Sequence, residues 1–265
     1  MPGTHLPEPT ARANAELLAL NPQEEVEYES LRRMGQRLHV PIPEAFWDLL
    51  VVEKDGAVRQ RLKQRSHSFV RNAFNHLIGQ LAAKNGNGGA TFGGGFINIR
   101  ETGGYVRTGN YPILTGHSSN STTTSSLDSA GGGPGIVAPA GNNNKGIVVG
   151  SGANPESFED YALQSLILNG TSAGRLSYIQ SESPVVSYDG GTLTLTVTHV
   201  RFFNNNSGGP VDVNEVGIYL LGKTGYGGQS DITWMVARDK LVATVQVPDT
   251  GQLKVTYTIS LTYPA

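Results

Sequence analysis

Residues 253–263 have the sequence LKVTYTISLTY, in which apolar and polar side chains alternate without a break. Successive side chains of a β-strand point to opposite faces of the sheet, so this pattern puts every apolar group on one face. That face comprises Leu253, Val255, Tyr257, Ile259, Leu261 and Tyr263. The stretch therefore predicts an antiparallel strand with one face on a core and the other in water.

Further strand patterns precede this stretch, separated by turn sequences such as Asp189-Gly190 and 248–251. We predict strands at 96–99, 105–106, 146–150, 174–180, 184–188, 192–203, 211–221, 232–238, 241–247 and 252–263. Many short strands at this spacing are typical of an antiparallel sandwich. The predicted fold is mainly β, a jelly-roll-like antiparallel β-sandwich with an N-terminal arm, a β-hairpin and two helices.

Composition divides the chain into four parts. Residues 1–20 contain three prolines and predict an extended N-terminal arm. Residues 21–84 have a helix–hairpin–helix pattern, and residues 146–265 contain the β-sandwich. Residues 85–145 are rich in glycine and serine and have too little apolar surface to fold alone. We expect this loop region, like the arm, to contact neighbouring subunits.

A first helix is predicted from Asn21 onward. Asn21 suits the N-cap, Pro22 the first helical position and Glu24 the first turn. Glutamates precede arginines along the segment, an order that complements the helix dipole. The apolar positions form one thin stripe made of Val26, Leu31, Met34 and Leu38. Such a stripe predicts a surface helix that lies on the domain or on a neighbour.

A β-hairpin is predicted around Asp55-Gly56, with arms near 48–54 and 57–64. Basic residues occupy alternate positions of the second arm and its end, namely Arg59, Arg61, Lys63 and Arg65. This row is interpreted either as a stripe for phosphate or an acidic partner, or as a solvated strand face, or as an ion-paired contact with the acidic helix. No aromatic residue lies between the basic positions, which argues against nucleic-acid binding.

A second helix is predicted from Ser66 or Ser68 to about Ala83. Its wide apolar face includes Phe69, Val70, Phe74, Leu77, Ile78 and Leu81. We expect it to be the best-buried helix, packed on the β core or on another subunit. His67 and His76 flank it without a second ligand at helical spacing, so structural roles are favoured over metal binding. A further short helix is predicted over 154–161.

Composition excludes several classes of function. The net charge is only −2, which argues against a nucleic-acid-binding cation. The chain has no cysteine, which excludes disulfides and thiol catalysis. No apolar run reaches the length of a transmembrane helix. The N-terminus has no signal-peptide pattern, so we expect synthesis in a host cytoplasm.

Sequence motifs for catalysis or cofactors are weak. Residues 217–224 match the letters of a phosphate-binding loop, but the residues between the two glycines favour a strand and no helix start follows. Asp212 and Glu215 form a carboxylate pair that is better explained by structure than by glycoside hydrolysis. We therefore predict no enzyme activity, no catalytic residue, no metal and no cofactor.

Several segments of the chain resemble structural proteins of tailed bacteriophages. They are GIVVGSG at 146–152 with EDYAL at 159–163, FNNNSGG at 203–209, VNEVGIYL at 213–220, MVARD at 235–239, LKVTYTI at 253–259, and the Asp55-Gly56 hairpin followed by SFVRN at 68–72. The resemblance covers roughly residues 50–80 and 146–260. It implies a virion component with a β-sandwich body and brings no catalytic residues with it.

The predicted function is a structural component of a tailed-phage virion, acting through subunit–subunit assembly as a capsid-decoration, tail or baseplate protein. Its partners would be copies of itself and other virion proteins, with no membrane and no nucleic acid. Interface candidates are Phe69, Val70, Phe74, Leu77, Leu81, Arg59, Arg61 and Lys63. The alternative is a host receptor- or carbohydrate-binding module of a tail fibre, with candidate aromatic residues Tyr105, Tyr111, Tyr226 and Trp234.

Overall fold

The computed structural model describes six stretches of the chain: 16–18, 21–67, 69–82, 96–110, 135–224 and 230–264. Its two helices are α1 (Pro22–Leu38) and α2 (Arg71–Ala82). Its strands are β1 (Glu16–Leu18), β2 (Ile42–Val52), β3 (Val58–Ser66), β4 (Phe96–Arg100), β5 (Val106–Asn110), β6 (Gly146–Gly150), β7 (Ser177–Tyr178), β8 (Val185–Asp189), β9 (Thr194–Asn204), β10 (Val211–Thr224), β11 (Ser230–Val247) and β12 (Gln252–Thr262). The protein is mainly β, as the sequence predicts.

Two sheets form the sandwich, which confirms the predicted fold class. Sheet A has the strand order β1-β3-β2-β12-β9-β7, with β8 also paired to β9. Sheet B has the order β11-β10-β6, and β4 pairs with β5 as a separate hairpin. The pairings are antiparallel except that β1 runs parallel to β3. A jelly-roll connection is not confirmed by this strand order.

Strand β12 lies in the middle of sheet A, between β2 and β9. Leu253, Val255 and Tyr257 are buried in the core between the sheets, as their alternation predicts. Ile259 and Leu261 continue the same row but are only half-buried. The apolar face of sheet A therefore extends beyond the buried core.

The predicted hairpin and first helix are both present. Strands β2 and β3 join through a turn in which Asp55 Oδ1 accepts a hydrogen bond from the Ala57 amide at 2.9 Å. Gly56 has φ +84°, a conformation that favours glycine. Helix α1 begins as predicted, because Asn21 Oδ1 accepts from the Gln23 amide at 3.0 Å.

Strand β11 replaces the two strands predicted at 232–238 and 241–247. Its pairing with β10 shifts register between Val213 and Glu215, which leaves residues 241–244 as a bulge. Side chains of β3 hydrogen-bond to the backbone there. Gln64 donates to the Lys240 carbonyl at 3.0 Å and accepts from the Val242 amide at 3.0 Å. Side-chain amides therefore link sheet A to sheet B.

The helix predicted over 154–161 is absent. The backbone of this segment forms tertiary hydrogen bonds instead. The carbonyls of Asn154 and Pro155 accept from the guanidinium of Arg238 at 3.0 and 3.2 Å. The carboxylate of Asp160 accepts a hydrogen bond from the same guanidinium at 2.6 Å and another from the Ser157 amide. A buried arginine thus holds the segment in a non-helical turn.

Candidate interaction surfaces

Helix α1 turns its polar side toward sheet A. The inward residues recur at helical spacing and are Glu24, Glu25, Tyr28, Arg32 and Gly35. Gly35 is buried, and a Cβ there would lie 2.5 Å from the Val40 carbonyl oxygen. The helix therefore contacts the sheet closely at one glycine and otherwise through polar side chains.

The side chain of Arg65 is the centre of this contact and is only 1% exposed. It forms ion pairs with Glu25 and Glu44 and approaches Glu24 at 3.3 Å. Its guanidinium stacks 3.8 Å from the ring centroid of Tyr28. The ion pairing between the basic arm and the acidic helix, one of the three interpretations of the sequence, is thus found at Arg65.

Glu44 links this cluster to a second arginine of α1. Burial alone would raise the pKa of its carboxyl, but the guanidinium groups of Arg32 and Arg65 outweigh burial and hold the pKa below its usual value. Arg32 also pairs with Glu29 at 2.9 Å. Charge, rather than apolar packing, attaches α1 to the sandwich.

The apolar side of α1 consequently faces away from the sheet. Val26, Leu31, Met34 and Leu38, which we call the α1 stripe, are 43–63% exposed. In a surface helix of a monomeric domain, such a stripe normally covers the core. Here the polarity is reversed, and the stripe forms the first exposed apolar surface.

Helix α2 also has polar side chains on part of its inward side. Val70 is fully buried, and Asn72 both donates to the Arg100 carbonyl at 2.8 Å and accepts from its amide at 3.0 Å. The ring of His76 lies 5.9 Å from that of Trp234, and burial lowers its pKa, which favours the neutral imidazole. The inward side of α2 therefore carries Asn72, which contacts the β4–β5 hairpin, and His76, which lies near Trp234 of β11.

The apolar row of α2 is largely exposed where the structure describes its side chains. Phe74, Leu77 and Ile78 are 48–59% exposed, and the half-exposed ring of Phe158 lies 5.7 Å from that of Phe74. These four residues form the second surface, the α2 patch. The predicted packing of this apolar face on the β core is therefore wrong for Phe74, Leu77 and Ile78, while its packing on another subunit stays a prediction. The side chain of Leu81 lies outside the described residues.

The third surface is the free side of β8 at one edge of sheet A. Val185, Val186 and Tyr188 are all exposed, and the ring of Tyr188 lies 6.4 Å from that of Tyr263. We call these four residues the β8 edge. An exposed apolar edge strand offers unpaired backbone groups as well as apolar contact.

The remaining interface candidates have partners within the chain. Arg59 pairs with Glu53 at 3.1 Å and Arg61 with Asp48 at 2.7 Å. Lys63 lies 5.7 Å from the ring centroid of Phe46, next to Arg65 on the same face. Phe69 is half-buried and forms an isolated bridge with Ala237. The basic row is therefore largely neutralised, which weakens its interpretation as a phosphate stripe.

Buried polar clusters support the sandwich and were missed from sequence. Arg201 is fully buried, and its five N–H groups donate only to backbone carbonyls, those of Pro139, Asn142, Lys145, Ile147 and Ile179, at 2.6–3.3 Å. Burial lowers its pKa to about 10. This arginine ties the segment at 139–147 to sheet A.

Glu215 forms the second buried cluster. It accepts hydrogen bonds from the amides of Gly152, Gln164 and Ser165 at 2.8–3.1 Å and from Arg238 Nε at 2.8 Å. Asp212 is exposed and accepts from Gln246 instead, so the two carboxylates are not paired. The residues that match a phosphate-loop pattern lie within β10, as the sequence predicts.

Asp239 forms a third cluster whose residue types occur in active sites. Its carboxylate accepts from Trp47 Nε1 at 2.7 Å, from Ser66 Oγ at 2.6 Å and from the His67 amide at 2.8 Å. The His67 ring contacts Glu24 rather than Ser66. Among the described residues no imidazole is placed to activate the Ser66 hydroxyl, and the arrangement is that of a structural cluster.

The described residues form an open cleft of about 570 Å³ between the turns at 53–55 and 248–250, and smaller cavities elsewhere. The cavity beside His199, lined by Ile136 and Glu182, holds about 10 Å³, enough for one water molecule. Of the aromatic candidates for sugar binding, Trp234 is 1% exposed and Tyr105 is 70% exposed. Tyr111 and Tyr226 lie outside the described residues. Of the two described candidates, Tyr105 is therefore the one with a largely exposed side chain.

Comparison with protein-family models, curated proteins and solved structures finds no match to this chain. Within the described stretches, neither helix has the length and apolar character required to span a membrane. In the same stretches, histidine, aspartate and glutamate side chains do not converge in a group of three that could hold a metal ion.

Proposed function

We propose that this protein is a structural component of a tailed-phage virion and acts by subunit–subunit assembly, as a capsid-decoration, tail or baseplate protein. The observation that supports this proposal is the presence of three separate exposed apolar surfaces on one chain: the α1 stripe, the α2 patch and the β8 edge. Groups of exposed apolar side chains on a folded domain are typical of protein–protein contacts.

The distribution of the three surfaces supports assembly rather than a single pairwise contact. They belong to three different elements, α1, α2 and β8, and buried polar clusters lie beneath the two helices. A subunit in a repeated structure contacts several neighbours through distinct surfaces. One ligand or one binary partner would require only one of them.

Receptor or glycan binding is the alternative. Tyr105 supports it, because its ring is the most exposed of the described aromatic candidates. A glycan array with the purified chain tests this alternative. Binding that is lost in Tyr105→Ala would favour a tail-fibre module over an assembly subunit.

The direct test is incorporation into particles. Virions purified by density gradient from a phage lysate of the source host are examined by mass spectrometry for the chain at a fixed copy number. A tagged copy with Leu77→Glu in the α2 patch should be excluded from the particles, because a charge would be buried at the contact. Deletion of residues 1–20 should also abolish incorporation.

Val242→Glu is the matched control, because Val242 is about as exposed as Leu77 but lies outside the three surfaces. It should be incorporated normally. Absence of the chain from purified virions, or incorporation of both variants at the wild-type level, would contradict the proposal.

A further inference from the structure

We propose that α1 pairs with α1 of a second copy of this chain, antiparallel and about a two-fold axis, through the α1 stripe. This inference rests on the proposed assembly role, because it names the partner for one of the three surfaces. The reversed polarity of α1 is the starting point. Its inward side is occupied by the ion pairs around Arg65, so the apolar side is free to meet another molecule.

The charged side chains of α1 that form no ion pair with a described residue point to a second copy as the partner. Glu24 and Glu25 contact Arg65, and Glu29 contacts Arg32 and Arg33, all within the chain. Glu27 and Arg37 are the acidic and basic side chains of α1 that pair with no other described residue. Glu27 lies in the first half of the helix and Arg37 in its last turn. The unmatched charges of α1 are therefore complementary to those of an antiparallel copy of itself.

The apolar stripe gives the same register. An antiparallel pairing that puts Val26 opposite Leu38 of the second copy also puts Glu27 opposite Arg37. A two-fold axis repeats both contacts, so each dimer has two such charge pairs. A parallel arrangement would put like charges side by side, which costs free energy. The α1 stripe and the unpaired charges therefore both favour the antiparallel arrangement in this register.

The helix dipoles favour the same arrangement. The N-terminus of one helix, with its partial positive charge, lies beside the C-terminus of the other. Helices pack with their axes 8–10 Å apart, a distance at which Met34 and its neighbours on the stripe come into contact. The outer side of α1 is open to such an approach, since the whole stripe and Val40 beyond it are exposed.

The test uses the purified full-length chain in sedimentation equilibrium at low salt over a wide concentration range. The wild type should form a dimer. Leu38→Glu should raise the dimer dissociation constant at least about a hundredfold, because two charges would be buried in the interface. Glu27→Arg and Arg37→Glu should each raise it about tenfold, since each converts two attractive contacts into repulsive ones.

The decisive measurement is a mixture of the two charge variants. Glu27→Arg and Arg37→Glu chains carry opposite charges at the facing positions, so they should associate with each other more tightly than either does with itself. Circular dichroism melting of each variant checks that the fold is retained. A monomeric wild type, a dimer insensitive to Leu38→Glu, or a mixture that does not recover association would overturn the inference.

The outcomes also separate this inference from the proposed function. A dimer that behaves as described, from a chain absent from virions, would keep the pairing and reject the virion role. A monomer that is nevertheless incorporated into virions, and excluded by Leu77→Glu, would keep the role and reject the pairing.

Discussion

The sandwich and the helical layer of this protein are built with opposite polarity. Between the sheets, apolar side chains such as Leu253 and Val255 face inward, and buried charged groups such as Glu215 are hydrogen-bonded. In the helical layer, polar side chains face inward and apolar ones face solvent. The difference indicates that the sandwich supplies stability, whereas α1 and α2 carry the exposed apolar surface on which the proposed assembly role rests.

Two buried arginines, Arg201 in the sandwich and Arg65 under α1, differ in their partners. Arg201 in the sandwich donates only to backbone carbonyls, which do not titrate near neutral pH. Arg65 under α1 is held by carboxylates, which do titrate. The attachment of α1 should therefore depend on pH and salt, while the contacts of Arg201 should depend on them much less.

The largest expected effect follows from Arg201→Met, which keeps an unbranched apolar side chain but removes all five donors. It leaves five carbonyls without their donor, and the free energy of unfolding should fall by at least about 3 kcal/mol. Urea denaturation measures the change. Arg175→Met is the control: Arg175 is exposed and donates once, to the Asn169 carbonyl at 3.4 Å, so its loss should cost less than about 0.5 kcal/mol. Equal effects would refute the special role of Arg201.

A smaller effect is expected at the link between the two sheets. Gln64→Leu leaves the Lys240 carbonyl and the Val242 amide without their partner, at a cost of about 2 kcal/mol. Gln60 makes the equivalent bonds to Thr244 and Gln246 at a more exposed position. Water can replace its amide, so Gln60→Leu should cost less than half as much. A larger loss for Gln60→Leu would show that burial does not set the cost.

Acidification should release α1 before the sandwich unfolds. The pKa of Glu44 is lowered in the folded protein, so its ion pairs stabilise the α1 contact fully above the unfolded value of 4.5 and lose that stabilisation as the pH falls through the lower folded value. Burial raises the pKa of Asp239, so protonation there favours the folded sandwich as the pH falls. The two regions respond in opposite directions.

Hydrogen exchange between pH 7 and pH 3, corrected for intrinsic rates, measures this difference. Amides of α1 should lose protection at acid pH while those of β9 and β12 keep it. Glu44→Gln should weaken α1 protection already at pH 7, because a neutral amide pairs less strongly with Arg32 and Arg65. Simultaneous loss of protection in α1 and β12 would contradict a separate release of the helix.

Much of the sandwich could be predicted from sequence because local rules decide it. The alternation of β12, the Asp55-Gly56 turn and the Asn21 cap each depend on residues close together in the chain. The bulge in β11 could not be predicted, since it depends on Gln64, which is distant in sequence. The burial of Arg201 could have been predicted, because the alternation of side chains along β9 puts it on the same face as the buried Phe203.

Local sequence patterns could not predict which side of each helix faces the sandwich. An apolar stripe is expected to cover the core, and that expectation fails for α1 because a buried arginine on β3 attracts the acidic side of the helix more strongly than the sheet attracts its apolar side. Glu24 and Glu25 precede Arg65 by about forty positions. Only the register of β2 and β3, which sets Phe46 beside Arg65, creates the site to which the helix binds.

The smallest expected effect on stability is that of Leu77→Ala, and a buried leucine, Leu49, serves as its reference. Leu49 in β2 is fully buried in the core, and Leu49→Ala should lower the free energy of unfolding by about 3 kcal/mol through lost burial and a residual cavity. Leu77→Ala, in the α2 patch, should change it by less than about 0.5 kcal/mol, since most of that side chain already contacts water. Urea denaturation of a dilute sample, in which association does not contribute, measures both. A cost for Leu77→Ala close to that for Leu49→Ala would mean that the α2 patch packs against the chain itself, and its assignment as an assembly surface would have to be abandoned.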